Sequence, residues 1–186
     1  MNGRVQPLTR DEIGPAARAD LRASFPRATR FLADGPHTPP MPPILGLLAH
    51  HTAISGPWLA FSGALLDHGV LDARTRELLI LATAHRTDAD YLWQEHVDLA
   101  AGAGLQADEV RAVRGDSPHA WTDGDAALLA LVDELVSDQH VDDGTWNALA
   151  DRLDEQQLIE ALFVVGTYCC LAMVLNNTDM AVQEAP

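Results

Sequence analysis

Apolar residues from Ile44 onward recur three and four positions apart, and polar–apolar alternation over strand length is hard to find. Such spacing is typical of amphipathic helices. Together with capping and stop residues, it predicts helices over 44–54, 56–69, 73–86, 88–103, 107–114, 123–138, 144–153 and 155–177, and a short helix around 15–25. The predicted fold class is therefore all-α.

The last predicted helix, 155–177, is apolar nearly all round, whereas a surface helix would be amphipathic. We expect it either at the centre of the fold or in a contact between subunits. The uncharged apolar run within it, 161–175, is shorter than the roughly 20 residues that cross a bilayer. No membrane-spanning segment is therefore predicted.

Five of the eleven prolines fall within the segment 35–43, GPHTPPMPP. Proline fixes φ and removes a backbone donor, so neither a helix nor a central strand should pass through this segment. We therefore predict an N-terminal arm and proline-rich connection over 1–40, a helical domain over 41–180 and a tail over 181–186.

The chain carries 27 acidic and 12 basic residues, a formal net charge of −15, and all the basic residues are arginines. The absence of lysine excludes a lysine Schiff base and a Walker-type phosphate loop. The negative charge argues against nucleic acids and anionic membranes as partners.

The cysteines, Cys169 and Cys170, are adjacent and form no disulfide framework. The N-terminus lacks the apolar core of a secretory signal. We expect a soluble, cytoplasmic protein.

Candidate chemistry lies on two consecutive predicted helices. Glu77 shares a helix face with apolar residues such as Ile80 and Leu81, and His96 also lies on an apolar face. Two titratable groups on the inward sides of neighbouring helices can meet in one pocket. Because a carboxylate beside an imidazole favours the ion pair, and histidine exchanges protons near neutral pH, they would form a proton-transfer pair. In a purely structural alternative, Arg74 neutralises Glu77 and His96 bonds a backbone carbonyl.

The segment 74–110, RTRELLILATAHRTDADYLWQEHVDLAAGAGLQADEV, resembles the carboxymuconolactone decarboxylase family, which is related to the alkylhydroperoxidase D-like proteins. The likeness extends over about residues 40–180. It implies an alkylhydroperoxidase D-like bundle of about seven or eight helices and a homo-oligomer, a trimer or hexamer. It also carries Glu77, Tyr91, Trp93 and His96 over as site residues.

The peroxidase branch of this family is implied to use two cysteines, four and seven residues before the histidine. Leu92 and Ala89 occupy those positions here, and neither can form a thiolate. We therefore do not expect thiol–disulfide peroxidase chemistry at this site. Many members outside that branch resemble a pattern with a glutamate at the position of Leu92, so that carboxylate is also missing.

The remaining candidates each have a structural alternative. Tyr91, a candidate catalytic residue with His96 and Glu77, lies about 140° from His96 around a helix and can be a surface or interface tyrosine instead. Cys169 and Cys170 are interpreted as small hydrophobic residues. Trp93 is a candidate substrate-binding residue and can be a core residue instead. Arg86 is another and, like Arg74 and Arg76, could hold a substrate carboxylate, but it can also be solvated. The remaining candidate substrate-binding residues are His50, His51, Tyr168 and Asn176.

The functional hypothesis is a small-molecule enzyme that transfers a proton on a carbon acid, as in decarboxylation or isomerisation of a lactone or ring. It would be a lyase or isomerase without redox cysteines. Adjacent His50 and His51 lack the spacing of a helical metal pair, and no nucleotide loop or zinc motif stands out, so no metal or cofactor is predicted. One alternative is a non-catalytic member that binds a ligand or a partner. A lesser one is an oxidoreductase of the alkylhydroperoxidase type.

Overall fold

The computed structural model describes residues 3–180, which fold into helices without a strand among them. The all-α prediction is therefore confirmed. Contacts divide the chain into two compact units that meet in sequence between Gly69 and Val70. The predicted tail, 181–186, lies outside the described residues, and the proposed division into arm, domain and tail stays a prediction.

The first unit contains three α-helices: α1 (Pro15–Ser24), α2 (Pro43–Leu48) and α3 (Thr52–Asp67). Its core is formed by buried side chains from all three helices and their connections: Ile13, Leu21, Ala28, Leu32, Leu45, Ala49 and Leu59. Gly46 is required here because a Cβ at this position would lie 2.2 Å from the carbonyl oxygen of Leu8. The backbone of residue 8 therefore packs directly against α2.

The predicted boundary between helices 44–54 and 56–69 is wrong. His51 adopts φ −148° and ψ 68°, which interrupts the helical path, and α3 begins at Thr52. The Ser55 hydroxyl donates hydrogen bonds to the carbonyls of Leu48 and His51, at 2.7 and 3.1 Å. These bonds satisfy backbone acceptors that the end of a helix leaves open. The break therefore falls before Ser55, not at it.

The second unit contains six further helices: α4 (Ala73–Arg86), α5 (Asp90–Gly102), α6 (Ala107–Val113), α7 (Asp123–Asp138), α8 (Asp143–Ala150) and α9 (Glu155–Asn177). The predicted bounds of α4, α7 and α9 are confirmed. At each of these helices a side chain accepts a hydrogen bond from the backbone N–H three residues later; the acceptors are Asp72, Thr122 and Asp154. α5 begins two residues later than predicted because Asp88 has φ 51°.

Helix α4 is the enclosed helix of this unit. All its residues from Glu77 to Ala84 are buried, and it packs against α5, α7 and α9. α9 has one buried face, represented by Ala161, Val164 and Val165, and one exposed face. Of the two positions predicted for α9, the central one is therefore occupied by α4 in this unit.

Within residues 3–180, α9 is the single helix whose length and hydropathy would suffice to cross a membrane. Its most apolar window has a mean hydropathy of 2.2 and is 44% buried inside the protein. Core helices of soluble proteins share these properties, so the finding is weak evidence for a membrane span. Cytoplasmic location stays a prediction.

Candidate active site

The centre of the candidate site is a contact between Glu77 on α4 and His96 on α5. Nδ1 of His96 lies 2.8 Å from Oε2 of Glu77, within hydrogen-bond distance. The Glu77 side chain is 7% exposed and that of His96 is 13% exposed. The predicted meeting of these two residues is therefore observed, and the imidazole keeps some access to solvent.

Tyr168 on α9 completes a third side of the site. Its ring meets the His96 ring edge to face, with centroids 5.2 Å apart and planes at 86°. Burial of the hydroxyl, together with the negative charge of Glu77, raises the pKa of Tyr168 well above its usual value. The phenol is therefore neutral at physiological pH and can donate a hydrogen bond.

Arg76 directly precedes Glu77 on α4. Its positive charge lowers the pKa of Tyr168, but burial and the charge of Glu77 raise that pKa by more. Nε of Arg76 is buried and has no hydrogen-bond partner in the described part of the chain. A buried donor without a partner is costly, so this nitrogen is a natural contact for an acceptor atom of a bound molecule.

Arg74 does not neutralise Glu77, as the structural alternative required. Its guanidinium binds both carboxylate oxygens of Asp125 on α7, at 2.8 and 3.1 Å, and Oε1 of Glu109 on α6 at 2.5 Å. The hydrogen bonds to Asp125 are the largest cause of a raised pKa of Arg74. Glu77 therefore forms its contact with His96 and not with Arg74. The hydrogen bond of His96 to a backbone carbonyl, which the structural alternative also required, is not observed among the described residues.

Tyr91 and Trp93 both lie in the first turn of α5 and are buried, at 6% and 7% exposure. The surface position considered for Tyr91 is therefore wrong. The Trp93 ring contacts His85, with 6.3 Å between the ring centroids, and Arg114, whose Cζ lies 4.1 Å from the indole centroid. Trp93 therefore faces α4 and the segment after α6, and its role in substrate binding stays a prediction.

The other predicted binding residues are dispersed. Arg86 pairs with Asp133 on α7 through two nitrogens, one of them 2.6 Å from Oδ2. Asn176 donates a 2.6 Å hydrogen bond to the Thr87 carbonyl. His50 and His51 are exposed residues of the first unit, and the His50 ring lies 2.9 Å from the carbonyl of Gln6. Their proposed roles stay predictions.

The thiols lie on α9 and not at the positions of the peroxidase cysteines. Ala89 and Leu92, which occupy those positions, are 1% and 3% exposed. Burial raises the pKa of the Cys169 thiol, and the neighbouring Cys170 adds to the rise. Cys169 is therefore kept in the protonated, less reactive form.

A half-open apolar groove of about 440 Å³ runs between α7 and α9. Its walls include Leu135, Leu162, Val165 and Cys169, with Thr87, Gln139, Asn176 and Asn177 among its polar residues. Neither Glu77 nor His96 borders this groove. Among the described residues, no cluster of three or more histidine, cysteine, aspartate or glutamate side chains has the geometry for a metal ion.

Sequence reasoning gave no ground to single out Tyr168 or Arg76 among the candidate residues, and the role of each stays a prediction. Tyr168 was only one of several polar residues on α9, because the sequence gives no sign that the tyrosine packs on a histidine 72 positions earlier. Arg76 was one of three arginines that could hold a carboxylate. The other two arginines have acidic partners: Arg74 binds Asp125 and Glu109, and Arg86 binds Asp133. These partners are distant in sequence, so the difference between the three arginines could not be predicted.

Comparisons with known proteins agree with this architecture. Residues 56–135 match the model of the carboxymuconolactone decarboxylase family. A solved structure from Agrobacterium tumefaciens, a protein of unknown function whose description relates it to the antioxidant defence protein AhpD, is similar with a TM-score of 0.65. The two are 15% identical, and the alignment covers 73% of this chain and 97% of that chain. No curated protein sequence matches the chain.

The solved structure is too distant in sequence to show more than the fold. The family match is more specific because it contains both helices of the site, with Glu77, Tyr91, Trp93 and His96. The match covers less than half of the chain, so it relates residues 56–135 to the carboxymuconolactone decarboxylase family, and the chain as a whole has an alkylhydroperoxidase D-like fold.

Proposed function

We propose that the protein is a small-molecule enzyme in which His96 transfers a proton to or from a carbon acid, and Glu77 holds the imidazole and its charge. The observation that carries this proposal is the 2.8 Å contact between His96 Nδ1 and Glu77 Oε2 in a largely buried site. With Nδ1 engaged, Nε2 is the nitrogen that remains for a substrate. In the described part of the chain, it is Nδ1 and not Nε2 that makes the hydrogen bond of His96 to Glu77.

In a decarboxylation, the bond between the substrate carbon and its carboxylate breaks and carbon dioxide leaves. The electron pair stays on the substrate as a carbanion, delocalised as an enolate. The protonated imidazole donates the Nε2 proton to carbon, and a solvent proton restores it. In an isomerisation, the neutral imidazole first takes a proton from one carbon and returns it to another. Glu77 stabilises the cationic imidazolium in both cases.

Arg76 and Tyr168 are the proposed groups for the developing negative charge. The unpartnered Nε of Arg76 offers a charged donor, and the neutral phenol of Tyr168 offers a second. Donors that are already in place stabilise an enolate more effectively than water, because they need no reorganisation during the reaction. This arrangement favours an anionic substrate such as a carboxylated, unsaturated lactone.

The test is turnover of carboxymuconolactone, and of simple β-keto acids as carbon-acid probes, measured by release of carbon dioxide. His96→Asn keeps a side chain of similar polarity but removes the proton carrier, and should lower kcat/KM by at least about tenfold. His140→Asn, at an exposed histidine between α7 and α8, is the matched control and should not change it. Equal rates for both variants, or no turnover by the wild type, would contradict the proposal.

A non-catalytic, ligand-binding protein is the second candidate, and the groove between α7 and α9 favours it. The groove is lined mainly by apolar residues and lies apart from the Glu77–His96 pair. Small-molecule pockets have this character, a mostly apolar wall with few polar groups. Saturable binding of an apolar fluorescent probe that Leu162→Trp blocks and His96→Asn leaves unchanged, without product from any carbon-acid probe, would support this candidate.

The description of the Agrobacterium protein suggests antioxidant chemistry as a third possibility. The residues of this chain give it little support, because Ala89 and Leu92 stand where the redox cysteines would be. The thiols of Cys169 and Cys170 would have to act instead. Peroxide consumption that requires Cys169 would support this possibility over proton transfer.

A further inference from the structure

Helix α9 presents an exposed row of uncharged residues on the side away from α4. The row consists of Ile159, Phe163, Gly166, Cys170, Met173 and Asn177, called here the α9 stripe. Its spacings alternate four and three, which is the pattern of a helix that pairs with another helix along one seam. Ile159 is 54% exposed and Met173 is 66% exposed. Phe163 is 52% exposed, although it also interacts with a residue of its own chain.

The stripe is an exception to the charge of the molecule. The chain has a net charge of −15, yet residues 161–178 contain no charged side chain. Two copies of so acidic a protein repel each other over most of their surface. A contact between copies is therefore least opposed along the α9 stripe.

The order of residues in the stripe is symmetric about position 168. Gly166 and Cys170 lie two residues from this centre, Phe163 and Met173 lie five, and Ile159 and Asn177 lie nine. An antiparallel copy of α9 centred at the same position therefore sets each stripe residue against its counterpart. The small residues meet in the middle, and a phenylalanine meets a methionine on either side, a pairing with favourable sulfur–aromatic contact.

Gly166 gives an independent reason to expect close approach. A Cβ at this position would have no atom within 4 Å, and the residue is helical, so the fold of the single chain does not require glycine here. Glycine in a helix interior is unfavourable compared with alanine. The approach of another backbone is a common reason to retain it.

We propose that the α9 stripe is a homodimer interface, in which two copies pair their α9 helices antiparallel and Gly166 of each contacts Cys170 of the other. This interface is independent of the proposed reaction. It gives an assembly with an even number of subunits, and it is consistent with the hexamer, but not with an isolated trimer, among the assemblies that the family resemblance implied.

Disulfide trapping tests the register. In a Cys169→Ser background, Gly166→Cys should give an oxidised dimer on a non-reducing gel, because the introduced thiol faces Cys170 of the partner subunit. Cys170 alone should not cross-link: two copies of it would be displaced about 6 Å along the helix axes, in addition to the separation of the axes, beyond the reach of a disulfide. Adding Cys170→Ser to Gly166→Cys should abolish the dimer.

A charge variant tests the interface without oxidation. Gly166→Glu has room within the chain, and should convert an even-numbered assembly to the 20.1 kDa monomer, or halve its subunit number, in sedimentation velocity. Gln94→Glu, at an exposed position on α5, adds the same charge away from α9 and should leave the assembly unchanged.

Several outcomes would overturn the proposal. A wild-type monomer or trimer, a cross-link through Cys170 alone, or equal assembly of the two charge variants would each contradict it. Flotation of the wild type with phosphatidylcholine vesicles, lost in Gly166→Glu, with no self-association in solution, would identify a lipid surface as the occupant instead.

Discussion

At the scale of single residues, Glu77 and His96 are explained by their mutual contact. A carboxylate that is 7% exposed loses most of its hydration, and the imidazole 2.8 Å away replaces part of it. Removing either side chain leaves the other buried without its hydrogen-bond partner. The same proximity that makes the pair stable also makes the histidine a positioned proton carrier.

Tyr168→Phe tests the environment of the site. The raised pKa of Tyr168 means that the folded protein keeps the phenol neutral, whereas the unfolded chain ionises it near pH 10. The free energy of unfolding of the wild type should therefore decrease as the pH rises above about 10, and decrease less in the variant. The chain has no lysine, so few other groups titrate in this range.

The measurement is urea unfolding at several pH values from about 8 to about 11, with Cys169 and Cys170 replaced by serine in both proteins to remove thiol titration. Parallel losses of stability in the wild type and in Tyr168→Phe would show that the phenol is not shielded. The comparison at pH 8 controls for the loss of the hydroxyl itself.

The sequence predicted the two central residues but not their surroundings. Glu77 and His96 stand out because each interrupts an apolar face, a property of neighbouring positions on one helix. The partner of Arg74 could not be read in the same way. Asp125 is 51 residues away, and only the packing of α7 on α4 brings it into contact with Arg74.

At the scale of helices, the Arg74 network joins three of them. Arg74 on α4 binds Asp125 on α7 and Glu109 on α6, and Thr122 donates a further 3.0 Å hydrogen bond to Asp125. Burial alone would raise the pKa of Asp125, but the hydrogen bonds from Arg74 and Thr122 outweigh it and hold that pKa below its usual value. The ionised carboxylate therefore stabilises the fold.

Asp125→Asn should lower the free energy of unfolding by about 2 kcal/mol at pH 7, because the hydrogen bonds lose the charge of their acceptor. A lowered pKa in the folded state gives stability that is present above the unfolded pKa of about 3.9 and is lost as the pH falls below it. Between pH 5 and 3, as approximate limits, the variant should therefore lose less stability than the wild type. Chemical denaturation at both limits measures this, and an unchanged pH dependence would contradict it.

The helices themselves were predictable where capping residues mark them. Asp72, Thr122 and Asp154 begin α4, α7 and α9 where the sequence placed them. The boundary between α2 and α3 was not predictable in this way, because it depends on the non-helical backbone angles of His51 and on hydrogen bonds from Ser55. Backbone angles of single residues leave no trace in hydrophobic spacing.

At the scale of the whole molecule, the excess of acidic residues is the dominant electrostatic property. A net charge of −15 in 186 residues repels itself in the compact state more than in the unfolded chain. The resemblance to the carboxymuconolactone decarboxylase family rested on motifs on α4 and α5, and the region that matches the family model, 56–135, is shorter than the roughly 40–180 over which that resemblance was drawn. Assembly was expected from the family resemblance and from the apolar character of 155–177, and it stays a prediction. The proposal of a particular pairing face rests on the exposure of individual α9 residues, which the sequence does not give.

Salt should therefore stabilise the protein. Between about 10 and about 300 mM NaCl, screening weakens the repulsion among exposed carboxylates, and Tm should rise by a few degrees. Differential scanning calorimetry at pH 7 measures the change, with the Gly166→Glu variant, in which the proposed α9 interface should be broken, included to separate folding from assembly. A Tm that falls with salt in both proteins would show that attractive ion pairs, such as Arg86 with Asp133, outweigh the net charge.

The most direct test of the account is a double-mutant cycle on kcat/KM with His96→Asn, Glu77→Gln and the variant that combines them. If the two residues act as one proton-transfer device, the combined variant should lose about as much activity as His96→Asn alone, because Glu77 acts through the imidazole. Losses that multiply, so that Glu77→Gln lowers the rate by the same factor with and without His96, would contradict the central claim.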